Sequence, residues 1–282
     1  MSAITETLHT PGRLANTVSD WWVITRRNLI TYVRKPDLLV FSTIQPIMFV
    51  LLFVFVFGGA FELGLLPANL SYVDFLMAGI FVQTAIFAAT QTGVGLADDL
   101  QKGIIDRFRS LPMARSAVLA GRTAADTVSV GIQTVLMLVV AYLVGYRIHT
   151  SVWEALLAFG VIVGVGYVFT WVSAFAGLTL KTIEAVQAAL FTIVFPFVFV
   201  SSAFVPPETF PSWLQPIAQN NPVTIWVNLV RVLTLGDLIT ESKSALFSDV
   251  PSLWTLLWQS AAWMAGFLAF FYGMGIRAYR RT

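Results

Sequence analysis

"YVDFLMAGIFVQTAIFAATQTGVGLA", Tyr72 to Ala97, runs directly into "DDLQKGIIDRFRSLPMAR", Asp98 to Arg115. The first stretch holds one charged residue, Asp74, and exceeds the ~20 apolar residues that a helix rising 1.5 Å per residue needs to cross a ~30 Å hydrocarbon core. The second carries Asp98, Asp99, Lys102, Asp106, Arg107, Arg109 and Arg115 and belongs outside that core. Their junction marks a membrane boundary, and the rest of the chain is read outward from it.

Composition agrees: 57% of the 282 residues are hydrophobic and 11% charged, against about 25% charged in soluble domains. Further spans are predicted over Leu38 to Phe61, Val128 to Gly145, Val152 to Leu180 and Leu253 to Ile276. A sixth, Ala185 to Val205, contains "FPFVFVSSAFVPP", where Pro196 should kink the helix and Pro206-Pro207 end it. The fold class is therefore an all-α membrane protein of six transmembrane helices. Residues 1–37 form a cytoplasmic tail and interfacial helix, and residues 38–282 a single membrane domain. The first 37 residues lack an apolar core followed by a small-residue cleavage site, so no removable signal peptide is expected.

With six spans both termini share one side. That side, with the loops after spans two and four, carries fourteen of the 17 Lys and Arg residues, leaving Arg147, Arg231 and Lys243 opposite. The positive-inside rule makes the crowded side cytoplasmic. The chain is expected in the plasma membrane with both termini inside.

Before the first span, "VSDWWVITRRNLITYVRKPD" places Val18, Trp21, Trp22, Thr25, Leu29 and Tyr32 at helical spacing, with Arg26, Arg27, Arg34 and Lys35 around them. This predicts an amphipathic helix in the cytoplasmic interface, touching membrane lipid or a partner protein, and Pro36 stops it. Between spans five and six, "PPETFPSWLQPIAQNNPVTIWVNLVRVL" is too apolar for a solvated loop and too rich in proline for a span. Short re-entrant helices in the outer leaflet fit it.

Catalytic chemistry has no visible home. There are no cysteines, His9 and His149 read as bystanders, and no HExxH, GxSxG or acidic metal cluster occurs. No metal site and no enzymatic activity are expected. GxxxxGK[ST] is absent, so the chain binds no ATP by a P-loop of its own. A net charge of +2 gives no reason to expect nucleic acid. The spans are nearly free of the ionisable groups an ion-coupled pump uses; Glu184 beside Lys181 is the nearest candidate. Energy for transport has to come from elsewhere.

The spans do carry neutral polar residues: Gln45, Gln83, Thr90, Gln91, Gln133 and Gln187. Gln83, Phe87, Thr90 and Gln91 share one helical face. With Gln45 and Gln187 they are candidates for a weakly polar, aromatic-lined substrate path; interhelical hydrogen bonding is the plainer reading. Gly160 with Gly164, and Ser173 with Gly177, read as small-residue packing pairs.

In the charged loop, Leu100, Ile104, Phe108 and Leu111 form an apolar stripe flanked by Lys102, Asp106, Arg107 and Arg109. Asp98 and Asp99 favour the start of a short helix, Arg109 its end, and Pro112 stops it. "LQKGIIDRFRSLPMARSAVLAGR" resembles the loop between spans two and three of ABC-2 type permeases, particularly the daunorubicin-resistance-like drug export permeases. "FPSWLQPIAQNNPVTIWVNLVR" is similar to that family's segment before the last span.

The resemblance implies an ABC exporter half-transporter, in which a separate cytoplasmic ATPase binds ATP and Mg and this chain binds no cofactor. The coupling contacts it implies are Asp98, Asp99, Gln101, Lys102, Ile105, Asp106, Arg107, Phe108 and Arg109, with Arg26 and Arg27 of the N-terminal helix. It also implies a second permease chain and a re-entrant segment marked by Pro211, Trp213, Asn221, Pro222 and Arg231. A hydrophobic or amphiphilic substrate, a drug or lipid, would leave the cytoplasm between the permeases. A permease for a polysaccharide or lipid-linked glycan, and a non-transporting scaffold or immunity factor, remain as rival readings.

Overall fold

The computed structural model describes residues 25–26, 30, 36–57, 70–105, 115–240 and 250–281. All secondary structure among them is helical. The long elements are α1 (Pro36–Leu52, continued by a π turn, Phe53–Phe57), α2 (Tyr72–Gln101), α3 (Arg115–Val144), α4 (Val152–Leu180) and α5 (Ile183–Phe199). The short helices α6 (Gln215–Gln219), α7 (Pro222–Leu235) and α8 (Asp237–Thr240) follow, and α9 (Leu253–Arg281) closes the chain. Among the described residues, four stretches are long and apolar enough to span a bilayer: Tyr72–Gln101, Leu119–Val144, Val152–Leu180 and Leu253–Tyr279. In α1 and α5 the described apolar stretches, Thr43–Val56 and Ile183–Phe199, are shorter. A helix thus lies at each of the six predicted spans, four of them of full crossing length among the described residues.

Several boundaries differ from the sequence reading. The third helix begins at Arg115 rather than Val128, because Arg122 and Asp126, which argue against a span, are paired with each other on it. The fifth ends at Phe199 rather than Val205. Pro196 has no N–H to donate, and its own carbonyl accepts from the cap residue Val200 (2.8 Å), one turn later. The chain then turns through residues 201–204 into the protein, where Ser201, Ser202 and Ala203 are buried. α1 begins at Pro36, two residues before the predicted start of the first span, at a position where a missing N–H costs nothing.

α2 is the axis of the bundle. It packs against α1, α3, α4, α5 and α7, most extensively against α4. Glycine and serine lie where the two backbones come close. A Cβ on Gly93 would collide with the carbonyl of Ser173, and one on Gly177 with that of Gly93. Ser173 Oγ donates to the Ala89 carbonyl (2.7 Å) and accepts from Gly93 N–H (2.9 Å). Of the predicted small-residue pairs, Ser173 with Gly177 is therefore a close backbone contact. Gly160 has open space around it.

The single charge in the apolar run of α2 sits in its first turn. Ser71 caps the helix by accepting from Asp74 N–H (3.1 Å), and Asp74 also accepts from Ser71 Oγ and from Arg147 N–H. A carboxylate in the first turn is favoured by the helix dipole, so Asp74 marks an end rather than a buried charge in mid-span. α4 starts with a capping box, Ser151 with Glu154. It ends at Lys181, whose left-handed φ of 62° lets the chain turn straight into α5, capped by Thr182. Aromatic contacts fasten the periphery: Phe53, Phe199 and Phe204 join the end of α1 to the turn after α5. Phe169, Trp226 and Phe267 join α4, α7 and α9.

Gly177→Ala should force α2 and α4 apart, whereas Gly160→Ala meets nothing. In detergent, the first is expected to lower the thermal unfolding midpoint by a cost on the order of 1–3 kcal/mol typical of overpacking, and the second to leave it unchanged.

Candidate functional site

At the charged end of the bundle, α2 does not stop where the apolar run stops. It continues through Asp98 and Asp99 to Gln101, since no residue before Gly103 interrupts its hydrogen bonding. There the Lys102 N–H donates to the Asp98 carbonyl (3.0 Å), and Gly103, at φ 66°, donates to the Leu100 carbonyl (3.1 Å). Asp98 and Asp99 therefore lie in the last turn of a long helix, not the first turn of a separate one. Two carboxylates at a helix C-terminus oppose the dipole. Each has a cation: Lys102 Nζ meets Asp98 at 2.6 Å, and Arg122 Nη1 reaches from α3 to Asp99 at 2.6 Å.

The turn at Lys102 and Gly103 also resets the helical phase of the stripe predicted from Leu100. Ile105, not Ile104, turns inward; it is 2% exposed and packs with Leu96, Leu119, Trp171, Leu178 and Tyr279. Gln101 and Lys102 are exposed, and so is Arg26. Asp106, Arg107, Phe108, Arg109 and Arg27 lie outside the described residues, as do Leu111 and most of the stretch predicted as an N-terminal helix. Thr25, Arg26 and Ile30 are helical, and Thr25 Oγ1 donates to the Gly121 carbonyl of α3 (3.2 Å).

The polar residues of the spans come together in part. Gln45 of α1, Phe87, Thr90 and Gln91 of α2, and Gln187 of α5 line one cleft of about 430 Å³, completed by Val94, Ala188, Leu190 and Phe191. Gln45, Gln91 and Gln187 are exposed on the outer face of the bundle. Gln187 lies one turn into α5 and Gln91 two turns before Asp99, so the cleft sits toward the charged end. Thr90 spends its hydroxyl proton on the Phe87 carbonyl (2.6 Å) and offers only its oxygen to the cleft. Gln83 is not among the lining residues: it is 2% exposed and turned into the core. Gln133 donates to Ser129 on its own helix (3.2 Å), a bond within one helix and not between two.

At the opposite end, the proline-rich segment forms α6 and α7, the predicted short helices before the last span. Trp213 is 70% exposed beside Pro211, whose carbonyl accepts from Leu214 N–H at the start of α6. Asn221 caps α7 through Val223 N–H (2.9 Å) and donates to the Phe197 and Val200 carbonyls at the end of α5; Pro222 takes the first helical position. α7 is buried almost all round against α4, α9 and α2.

Arg231 is the deepest fastening of that segment. It is 3% exposed, and among the described residues no carboxylate lies within ion-pair distance of it. Its Nε donates to the Phe75 carbonyl (3.0 Å), Nη1 to Ser202 Oγ (3.2 Å) and Asn228 Oδ1 (3.0 Å), and Nη2 to the Ser202 carbonyl. The guanidinium also lies 3.7 Å from the Phe75 ring centroid, close enough for a cation–π attraction. A buried cation is tolerable only when its donors are met in this way. It ties α7 to the start of α2 and to the turn after α5, around an outer cavity of about 330 Å³ that Glu208, Asn228 and Gln259 also line.

Comparison with known protein families matches residues 19–235 to the ABC-2 type transporter family. The chain belongs to the ABC-2 type transporter family. A daunorubicin resistance ABC transporter permease protein of Streptomyces coeruleorubidus is 29% identical over 254 residues, covering 90% of this chain and 83% of that one. A putative transport permease of Pyropia yezoensis, ycf38, is 30% identical over 205 residues, or 71% of this chain and 68% of that one. A probable doxorubicin resistance ABC transporter permease protein of Mycobacterium tuberculosis is 24% identical over 225 residues, 75% of each. This ABC-2 chain is thus a multi-pass membrane protein of permease type. Sequence reasoning missed two of its contacts, Arg122 as a bridge between helices and Ser173 as a hydrogen-bonding group. A signal for the first was present: an arginine four residues before an aspartate in an otherwise apolar helix.

Arg231→Leu removes the guanidinium donors that meet the buried Ser202 carbonyl and Asn228 Oδ1, and one of the two donors on the Phe75 carbonyl, at about 1–3 kcal/mol for a group left unmet. It should lower the thermal midpoint and open the segment. Because the chain has no cysteine, the opening can be read with Ala203→Cys, a position fully buried here. A water-soluble maleimide should label that cysteine quickly when Arg231→Leu is also present and slowly when it is not.

Proposed function

We propose that this chain is the membrane-spanning half of an ATP-driven exporter that moves a hydrophobic or amphiphilic molecule, a drug or lipid, out of the cytoplasm. Six spans with both termini cytoplasmic account for the basic bias of the charged end. A separate cytoplasmic ATPase carries ATP and Mg and meets the loop after α2 through Gln101, Lys102, Asp106, Arg107, Phe108 and Arg109, with Arg26 and Arg27 alongside. Asp98, Asp99 and Ile105 hold the base of that loop within the permease.

The observation that carries this reading is the convergence of Gln45, Phe87, Thr90, Gln91 and Gln187 on one cleft near the charged end. An amphiphile entering from the inner leaflet would lay its apolar rings against Phe87 and Phe191 and its polar groups against the three glutamines. Exposed amides facing lipid are unfavourable, so a second permease chain, identical or paralogous, is the natural opposite wall. The drug-resistance names of the relatives support an amphiphilic drug as cargo.

Transport is driven when ATP-induced closure of the ATPases displaces the loop and tilts α2. The test is reconstitution with a soluble P-loop ATPase that co-purifies with this chain from its own cells, following ATP-dependent movement of a fluorescent anthracycline into inside-out vesicles. Gln91→Leu with Gln187→Leu is expected to cut kcat/KM about tenfold, the equivalent of roughly 1.4 kcal/mol. Charge reversal at Asp106 together with Arg109 is expected to abolish stimulation of ATP hydrolysis while leaving membrane insertion intact. A chain that recruits no ATPase and leaves accumulation unchanged would return the scaffold reading, and transport of glycan alone the polysaccharide reading. Orientation has its own check: Lys102→Cys should be labelled from the cytoplasmic face only, and Trp213→Cys from the external face only.

A further inference from the structure

Four features of the charged end meet on one turn of α3. Arg122 forks onto two carboxylates, Asp99 of α2 (2.6 Å) and Asp126 of its own helix (3.3 Å), and its side chain is 17% exposed. α2 has no side chain where the guanidinium lies, since a Cβ on Gly95 would collide with Arg122 Nη2. The residue before Arg122, Gly121, accepts the hydroxyl of Thr25 from the N-terminal helix (3.2 Å), and Thr25 is itself 4% exposed. One turn earlier Leu119, 1% exposed, packs with Ile105 of the loop, Leu96 of α2, Trp171 of α4 and Tyr279 of α9.

The loop after α2 returns into α3, so the two helices form a hairpin with the loop at its tip. A push on the tip of such a hairpin can flex the loop alone or carry both helices together. Which occurs depends on how stiffly the base is held. Arg122 bridges that base, with a planar fork that a single ammonium cannot reproduce. The bridge is partly screened from water, which makes it stronger than a surface pair. α2 beyond the bridge presents Phe87, Thr90 and Gln91 to the cleft, all within about three and a half turns of Asp99.

We propose that Arg122 is the positioning residue that turns displacement of the loop into movement of α2 and α3 as one body, and that Thr25 on Gly121 joins the N-terminal helix to the same lever. The proposal rests on the ATPase-driven reading above. Motion reaching the loop would be dissipated locally without the bridge; with it, the cleft wall moves.

The experiment uses the full transporter with its ATPase in proteoliposomes and measures co-purification, ATP hydrolysis with and without substrate, and substrate moved per ATP. Arg122→Gln is expected to co-purify normally and hydrolyse ATP at the basal rate, yet lose at least fivefold in substrate moved per ATP. Arg122→Lys should fall between. Asp99→Asn, a milder change that leaves the pair with Asp126 in place, should lower the same ratio. A normal ratio in Arg122→Gln overturns the proposal. So does a loss of transport that only follows loss of folded protein, or a normal ratio in Asp99→Asn. If the unaltered chain recruits no ATPase, the proposed function fails first, and the two failures are distinguishable.

Discussion

Close approach of α2 and α4 at Gly93, Ser173 and Gly177 is the contact on which the arrangement of this protein depends. In lipid the hydrophobic effect does not drive helices together, so association rests on backbone proximity and hydrogen bonds. The α2–α4 pair has both: carbonyls where a methyl group would not fit, and Ser173 bonded to the backbone of α2 on two sides. With α2 held against α4, its remaining faces are left to receive α1, α3, α5 and α7. The cleft exists because α1 and α5 flank α2 without closing over Gln91.

Charge is managed at the two ends of this axis by different means. At the Asp74 end, a carboxylate in the first turn and an arginine surrounded by carbonyls are each satisfied by fixed neutral dipoles. At the other end, two carboxylates stand against the helix dipole and are held by Lys102 and Arg122. The first arrangement suits a segment that must stay in place, with α7 fastened across the bundle. The second includes a pair between separate helices, Arg122 of α3 with Asp99 of α2, which changes if those helices move apart.

Much of this was legible beforehand. The spans of α2, α4 and α9 follow from apolar length alone. The short helices before α9 follow from proline spacing, with Asn221-Pro222 marking the start of α7. What misled was continuity. Asp98 and Asp99 read as a helix start because acidic residues favour that position, but α2 had no reason to end before Gly103. Similarly, Arg122 and Asp126 shortened the predicted third span because two charges count against a span singly, whereas here they are partners. Gln83, on the face shared by Phe87, Thr90 and Gln91, is buried, because the neighbours covering that face change along a long helix.

By itself, then, the sequence determined the solvent this protein folds in, the order of its long apolar helices, the distribution of its basic residues and the absence of a nucleotide-binding loop. These depend on composition and on spacing along one chain. Tertiary structure decided which glutamines share a cleft, which small residues are crossings and which carboxylate Arg122 serves. Each of those is a meeting between helices distant in sequence, set by how closely backbones approach, and helical periodicity states which face a residue occupies but not what covers that face.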